Sequence, residues 1–202
     1  MTKLVGITGG IGSGKTTISK HLKKLGYLVH ESDKVVSEIY TKPKKQFLSF
    51  IKEKISKDAV NNNKINKTEI SNVIFKNKKI KKLLETRIHK EVQSSRDAFI
   101  KKNKKNKNKL IFADIPLLFE NKLEKNFDLV ICIISSKKNR TKRVLKDKKF
   151  TKKNLNKIFK LQTTDQERKK RSQIIINNNK TKKDFIFSAE KVLTGLIKWE
   201  RL

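Results

Sequence analysis

The chain has 202 residues, with 52 Lys and Arg against 19 Asp and Glu, a formal charge of +33. Its one cysteine, Cys132, leaves no partner for an internal disulfide, and its longest apolar run, Leu129 to Ile134, is far short of a membrane span. A disulfide-stapled secreted scaffold, an integral membrane protein and a collagen-like chain are thereby excluded, and a single α/β-sized domain in the cytoplasm is expected.

In chain order, residues 3–8 read as a short apolar strand, followed by a Gly-rich turn. A helix from Lys15 to Lys24 comes next, with Ile18, Leu22 and Leu25 at helical spacing and Gly26 as its stop. Residues 27–30 read as a second strand, and Asp33 opens a helix with Val35, Val36 and Ile39 on its apolar face, broken at Pro43. From Phe47 to Ile100 the pattern is helical, with turn signals at Asn61-Asn62-Asn63 and Asn77 and no strand. The run from Lys101 to Lys109 reads as a solvated connector. Strands follow at 110–114, ending on Asp114, and at 129–134, apolar at every position as a strand buried on both faces would be. Residues 137–147 and 151–171 read as charged helices, 173–177 as a last strand, and 182–198 as an amphipathic helix. Strands alternating with helices predict a doubly wound parallel sheet. The division expected is a core at 1–43, 109–135 and 172–202, a helical insert at 44–100, and a lid at 136–171.

The segment that carries chemistry is Gly9-Gly10-Ile11-Gly12-Ser13-Gly14-Lys15-Thr16, which fits G-x-x-x-x-G-K-[ST] at every defined position. Its main-chain N–H groups, from Gly10 to Gly14, would point at phosphate oxygens, aided by the positive end of the following helix. Lys15 would offset charge on the β- and γ-phosphates, Thr16 would hold Mg²⁺, and Thr17 would donate to the α-phosphate. A strand before the loop and a helix after it complete the P-loop context. Asp33, just past the second strand, is read either as a carboxylate that takes a proton from an attacking hydroxyl or as a helix N-cap. Asp114, ending the third strand, suits a carboxylate that meets Mg²⁺ through water. The charge invites a nucleic-acid partner, but only seven of the basic residues are arginine, and Lys, Asn and Ile abound together. That composition favours codon bias over selection for phosphate forks.

The stretch from Gly6 to Thr17, together with Leu25-Gly26 and Asp33, resembles the opening of dephospho-coenzyme A kinases. Asp114-Ile115-Pro116-Leu117-Leu118-Phe119-Glu120 is similar to that family's acidic–Pro–Leu–Leu–Phe–Glu signature, and Phe127-Asp128, Gln162 and Asn178 fall where the family has the same residues. The resemblance implies a P-loop NTPase-type fold and transfer of the ATP γ-phosphoryl to the ribose 3′-hydroxyl of dephospho-coenzyme A. It implies Asp33 as base or orienting carboxylate, with Lys15 and Arg143 balancing charge. It places Lys67, His89, Pro116, Leu117 and Glu120 on the acceptor side, and Gln162 and Asn178 near the adenine and the lid. Four departures stand out: Lys90 for the proline of a His-Pro pair, Lys67 for an arginine, Asp147 for a second lid arginine, and Ser172-Gln173 for Ala-Asp. Other readings of the same core are a different small-molecule or nucleotide monophosphate kinase, a nucleic-acid-stimulated ATPase, and an inactive nucleotide-binding subunit.

Overall fold

The computed structural model describes residues 2–105 and 109–200. In chain order the elements are β1 (Lys3–Thr8), α1 (Lys15–Lys24), β2 (Leu28–Glu31), α2 (Ser32–Thr41), α3 (Lys45–Lys54), β3 (Val60–Asn61), β4 (Lys64–Ile65), α4 (Lys67–Lys76) and α5 (Lys78–Lys105). They continue with β5 (Leu110–Asp114), β6 (Leu129–Ile134), α6 (Lys137–Val144), α7 (Lys152–Leu161), α8 (Asp165–Arg171), β7 (Ile174–Asn177) and α9 (Lys182–Glu200). The chain divides into two compact units, residues 1–31 with 100–202, and residues 32–99.

The first unit is an α/β sheet of five strands in the order β2-β5-β1-β6-β7, every neighbouring pair parallel. Alternate residues of each strand face opposite ways, so one strand feeds two cores. Ile131 and Ile133 of β6 pack with Val5, Ile7, Phe112 and the apolar faces of α1 (Ile18, Leu22) and α9 (Phe185, Ala189, Leu193, Leu196). Val130, Cys132 and Ile134 pack on the other side with Ile115, Leu118 and Phe119. Burial raises the Cys132 thiol to about 11, which leaves it a small apolar core residue at neutral pH. The register sets Ile7 of β1 beside Asp114 of β5, and Glu31 of β2 on the far side of Asp114. The carboxyl ends of three strands therefore meet where the glycine loop begins, which is where open α/β sheets bind ligands.

The second unit has its own core of Phe47, Leu48, Ile51, Ile55, Ala59, Val60, Ile70 and Leu84, drawn from α3, α4, α5 and the short hairpin β3–β4. The sequence predicted a turn there and no strand. The turn is a two-residue connection, Asn62 and Asn63, with both φ positive at 46° and 59°. This is the conformation of a hairpin turn matched to strand twist, and asparagine tolerates it best after glycine. Strands of two residues show no alternation to read. A β-branched residue in the left-handed region loses about 1–2 kcal/mol. Asn63→Val should therefore lower the melting temperature by several degrees, measured by circular dichroism, while a glycine at the same position should not.

Three further boundaries differ from the predicted ones. The single helix expected over 151–171 is two, because Gln162 is extended and the Thr164 hydroxyl accepts from Glu167 N–H and starts α8 afresh. The helix expected to reach 147 ends at Val144. The lysine run taken for a connector is helical through Lys105, and residues 106–108 lie outside the described ones. No helix among the described residues is long and apolar enough to cross a membrane.

Candidate active site

The loop between β1 and α1 is held from behind by a polar clasp. Asn178, 7% exposed just after β7, donates from Nδ2 to the Ser13 carbonyl at 2.7 Å. Arg143 of α6 donates from Nη1 to Gly12 O at 3.3 Å and to Ser135 Oγ at 3.0 Å. Its Nη2 donates to Asn178 O at 2.8 Å and Oδ1 at 3.1 Å. These side chains take the Gly12 and Ser13 carbonyls, and within the loop Ser13 N–H donates to Gly10 O at 3.1 Å. A Cβ on Gly14 would overlap Asn178 Nδ2, so the close approach of that amide requires glycine.

The loop's other flank is covered by the region between α7 and α8. Ile11 N–H donates to Gln162 Oε1 at 3.0 Å. Lys15 Nζ donates to Gly9 O at 2.7 Å and lies 3.5 Å from Gly10 O, so the ammonium folds over the first loop residues. Thr16 is exposed in the first turn of α1, and Thr17 is half-buried beside it. Asp114 accepts from the buried Ser19 hydroxyl at 2.8 Å, which fixes its carboxylate at the end of β5. Glu31, its neighbour in register, is ion-paired with Lys23.

Pro116 and Leu117 lead out of β5, Pro116 half-buried and Leu117 40% exposed. Glu120 accepts from Thr163 N–H at 2.7 Å and from Arg168 Nη2 at 3.3 Å. Arg168, 2% exposed, also pairs with Asp165 at 2.9 Å, and Asp165 in turn binds Arg140 at 3.1 Å. Arg168 is buried while Glu120 and Asp165 are half-buried, and through Asp165 they join Arg140 in one ion-paired series. The acid at 147 is exposed and accepts from Lys149 N–H at 3.1 Å, a local turn. A basic hollow of about 240 Å³ lies alongside, lined by Asn139, Lys142, Arg143, Lys146, Asn179 and Lys180.

In the second unit, α2 begins at Ser32, so Asp33 stands inside its first turn rather than at its cap, with its side chain exposed. A negative charge there is favoured by the helix dipole. The same helix lines a hollow of about 390 Å³ with Ile39 and Glu38, closed by Lys42, Lys44 and Phe47. Lys67, at the start of α4, lies over the Tyr40 ring at 5.3 Å, and burial raises the Tyr40 phenol. His89 is exposed on α5.

A family profile described as dephospho-CoA kinase matches residues 3–184. The chain belongs to the dephospho-CoA kinase family. The enzyme of that name from Fusobacterium nucleatum is 31% identical over 191 residues, covering 93% of this chain and 95% of its own. That of Buchnera aphidicola is 36% identical over 190 residues, covering 89% and 85%. A dephospho-CoA kinase structure from Campylobacter jejuni shares the fold with a TM-score of 0.75 at 24% identity, covering 98% of each chain. A shikimate kinase structure from Acinetobacter baumannii shares it at 0.56 and 16% identity, covering 98% of this chain and 94% of its own. As a member of this family the chain is an ATP-dependent kinase.

The sequence singled out the loop, Asn178, Gln162 and Glu120, but not the side chains that hold them. Ser19, Ser135, Arg140, Asp165 and Arg168 carry no motif. The burial of Arg168 could not be inferred from its run of charged neighbours.

Proposed function

We propose that this kinase transfers the γ-phosphoryl of ATP to the 3′-hydroxyl of dephospho-coenzyme A with Asp33 as the proton acceptor. The observation that carries the reading is the family match over residues 3–184, which runs through the glycine loop, Asp33, the segment 114–120 and Asn178. In the reaction the acceptor oxygen bonds to phosphorus as the bond from phosphorus to the bridging oxygen of the ADP leaving group breaks. The hydroxyl proton passes to the Asp33 carboxylate. Phosphoryl transfer asks mainly for alignment and charge balance. The loop amides and Lys15 meet the triphosphate, and Arg143 holds the loop in shape through Gly12 and Asn178. The donor base suits the hollow beside Asn139 and Asn179, where amide groups alternate with cations. On the acceptor side, Lys42 and Lys44 suit a diphosphate, and Ile39 and Phe47 an apolar chain.

Mg²⁺ belongs to this reading as the counter-ion of the triphosphate. The residues fit it: a hydroxyl at Thr16, a carboxylate at Asp114 fixed by Ser19, and, among the described residues, no cluster of acids or histidines that would form a cage. A magnesium ion carried mostly by phosphate oxygens and water needs no more. Bound there, it would draw charge from the β- and γ-oxygens.

The test is an acceptor panel with purified protein, coupling ADP release to NADH oxidation. Turnover with dephospho-coenzyme A should exceed that with AMP, CMP or shikimate by at least about 10²-fold, since a site built for polar groups rejects ligands that leave them unpaired. Equal turnover with AMP would move the assignment to the nucleotide monophosphate kinases.

A further inference from the structure

We propose that Arg140, oriented by Asp165, brings a guanidinium to the transferring phosphoryl group as a second cation beside the Lys15 ammonium. This role rests on the phosphoryl-transfer reading above and adds a residue to it. Three observations converge on Arg140. First, its Nη1 lies within contact distance of the point where a Cβ on Gly10 would stand, with Arg168 Nη1 3.2 Å and Gln162 Oε1 3.3 Å from the same point. Lys15 Nζ also reaches this residue, at Gly10 O, 3.5 Å away. Two cations thus meet at the start of the loop, and only glycine at position 10 admits the second.

Second, the guanidinium is held but not used up. Nη2 donates to Asp165 at 3.1 Å, and the Phe159 ring lies 5.1 Å from the guanidinium carbon. Nε is buried and has no hydrogen-bond partner among the described residues. Arg140 is 8% exposed and lines a hollow of about 230 Å³ with Lys137, Gln162, Thr163 and Thr164. Burial lowers the guanidinium pKa, against the pull of Asp165. An anion in the hollow would complete the set of partners.

Third, the other candidates are committed elsewhere. Arg143 spends both terminal nitrogens on Gly12, Ser135 and Asn178, and Arg168 spends its own on Asp165 and Glu120. Asp147 carries the wrong sign and faces solvent. Preorganised donors stabilise developing charge most when they need not reorganise. The series Glu120–Arg168–Asp165–Arg140 supplies that rigidity, anchored at the Thr163 amide.

The experiment compares wild type with Arg140→Ala, Arg140→Gln and Asp165→Asn in the coupled assay with dephospho-coenzyme A. Arg140→Ala should lower kcat by about 10²-fold, the loss typical of one transition-state donor, with KM for ATP changed less than about 3-fold. Added guanidinium ion should restore part of that kcat in Arg140→Ala and none in wild type, a response that lost packing alone does not give. Asp165→Asn should lose about 10-fold, and adding it to Arg140→Ala should cost nothing further, because both act through one group. Wild-type kcat in Arg140→Ala, or loss without rescue, overturns the role. Should the alanine variant fail to fold, Arg140→Gln, which keeps a donor toward Asp165, carries the same kcat and KM criteria. The wild-type assay is read first: no turnover of dephospho-coenzyme A overturns the acceptor reading and this role with it, whereas turnover there isolates the fate of Arg140.

Discussion

Asp33→Asn should lower kcat by roughly 10²–10⁴-fold, the range for loss of a positioned general base, with ATP affinity nearly unchanged. Asparagine keeps the size of the side chain and its hydrogen bonding but cannot take a proton. The position allows such a clean change. Asp33 is exposed in the first turn of α2, one residue beyond the buried Ser32, and no core packing depends on it. A large loss of kcat with a melting temperature lowered by no more than about 2–4 °C is therefore a chemical effect. The dipole of α2 favours a negative charge at this turn, so the asparagine variant should lose at most about 1 kcal/mol of stability. Isothermal titration with ATP supplies the control, because the glycine loop and Asp33 belong to different units of the chain. Turnover equal to wild type would remove Asp33 from the chemistry and leave the helix dipole as its whole purpose.

How far the sequence could be read depended on the length over which a physical cause acts. The central sheet was legible because β6 is apolar at every position and β5 ends on an acid, and burial on both faces demands that pattern. The glycine loop was legible because backbone conformation and ligand approach both restrict residue type. The hairpin at 60–65 was not legible as strands, since two residues carry no period, although its Asn-Asn turn was. The break between α7 and α8 was hidden for a related reason. The cap at Thr164 satisfies a local hydrogen bond and leaves the run of charged residues on either side unchanged.

The candidate site divides along the same line. Asp33 and Asn178 sit just past the ends of strands and Lys15 opens the helix after the glycine loop, places that sequence order marks. Arg140 and Asp165 meet across 25 residues, and Arg168 and Glu120 across 48. Those pairings depend on how α6 and α8 pack on the sheet, and in a chain with 52 basic residues one more arginine stands out little. Low exposure distinguishes Arg140 and Arg168 from the solvated lysines around them. The overall charge therefore says less about function than the few cations that the fold withdraws from water.

Gly9→Ala should damage the glycine loop directly. Gly9 has φ of +148°, where side chains are rarely found, and its added Cβ would overlap the Ile133 carbonyl oxygen and lie 2.7 Å from Ser13 Oγ. Strain of this kind costs on the order of 1–3 kcal/mol, and overpacking a further amount of similar size. The contact can be relieved only by moving β6 or the loop. β6 is hydrogen-bonded between β1 and β7, so the loop is the softer side. Moving it displaces Gly9 O, the acceptor of Lys15 Nζ, and with it the ammonium. The loss should therefore appear as a rise of at least about 10-fold in the ATP dissociation constant, equivalent to ~1.4 kcal/mol, as well as a lower melting temperature. Gly26→Ala is the matched control. Gly26 also has a positive φ, +86°, but an added Cβ there meets nothing within 4 Å. It should lose about 1 kcal/mol of stability from conformation alone, seen as a shift of about 2–4 °C, and bind ATP as wild type does. If the two variants bound ATP equally well, the close approach of Gly9 to β6 would have no part in shaping the phosphate loop.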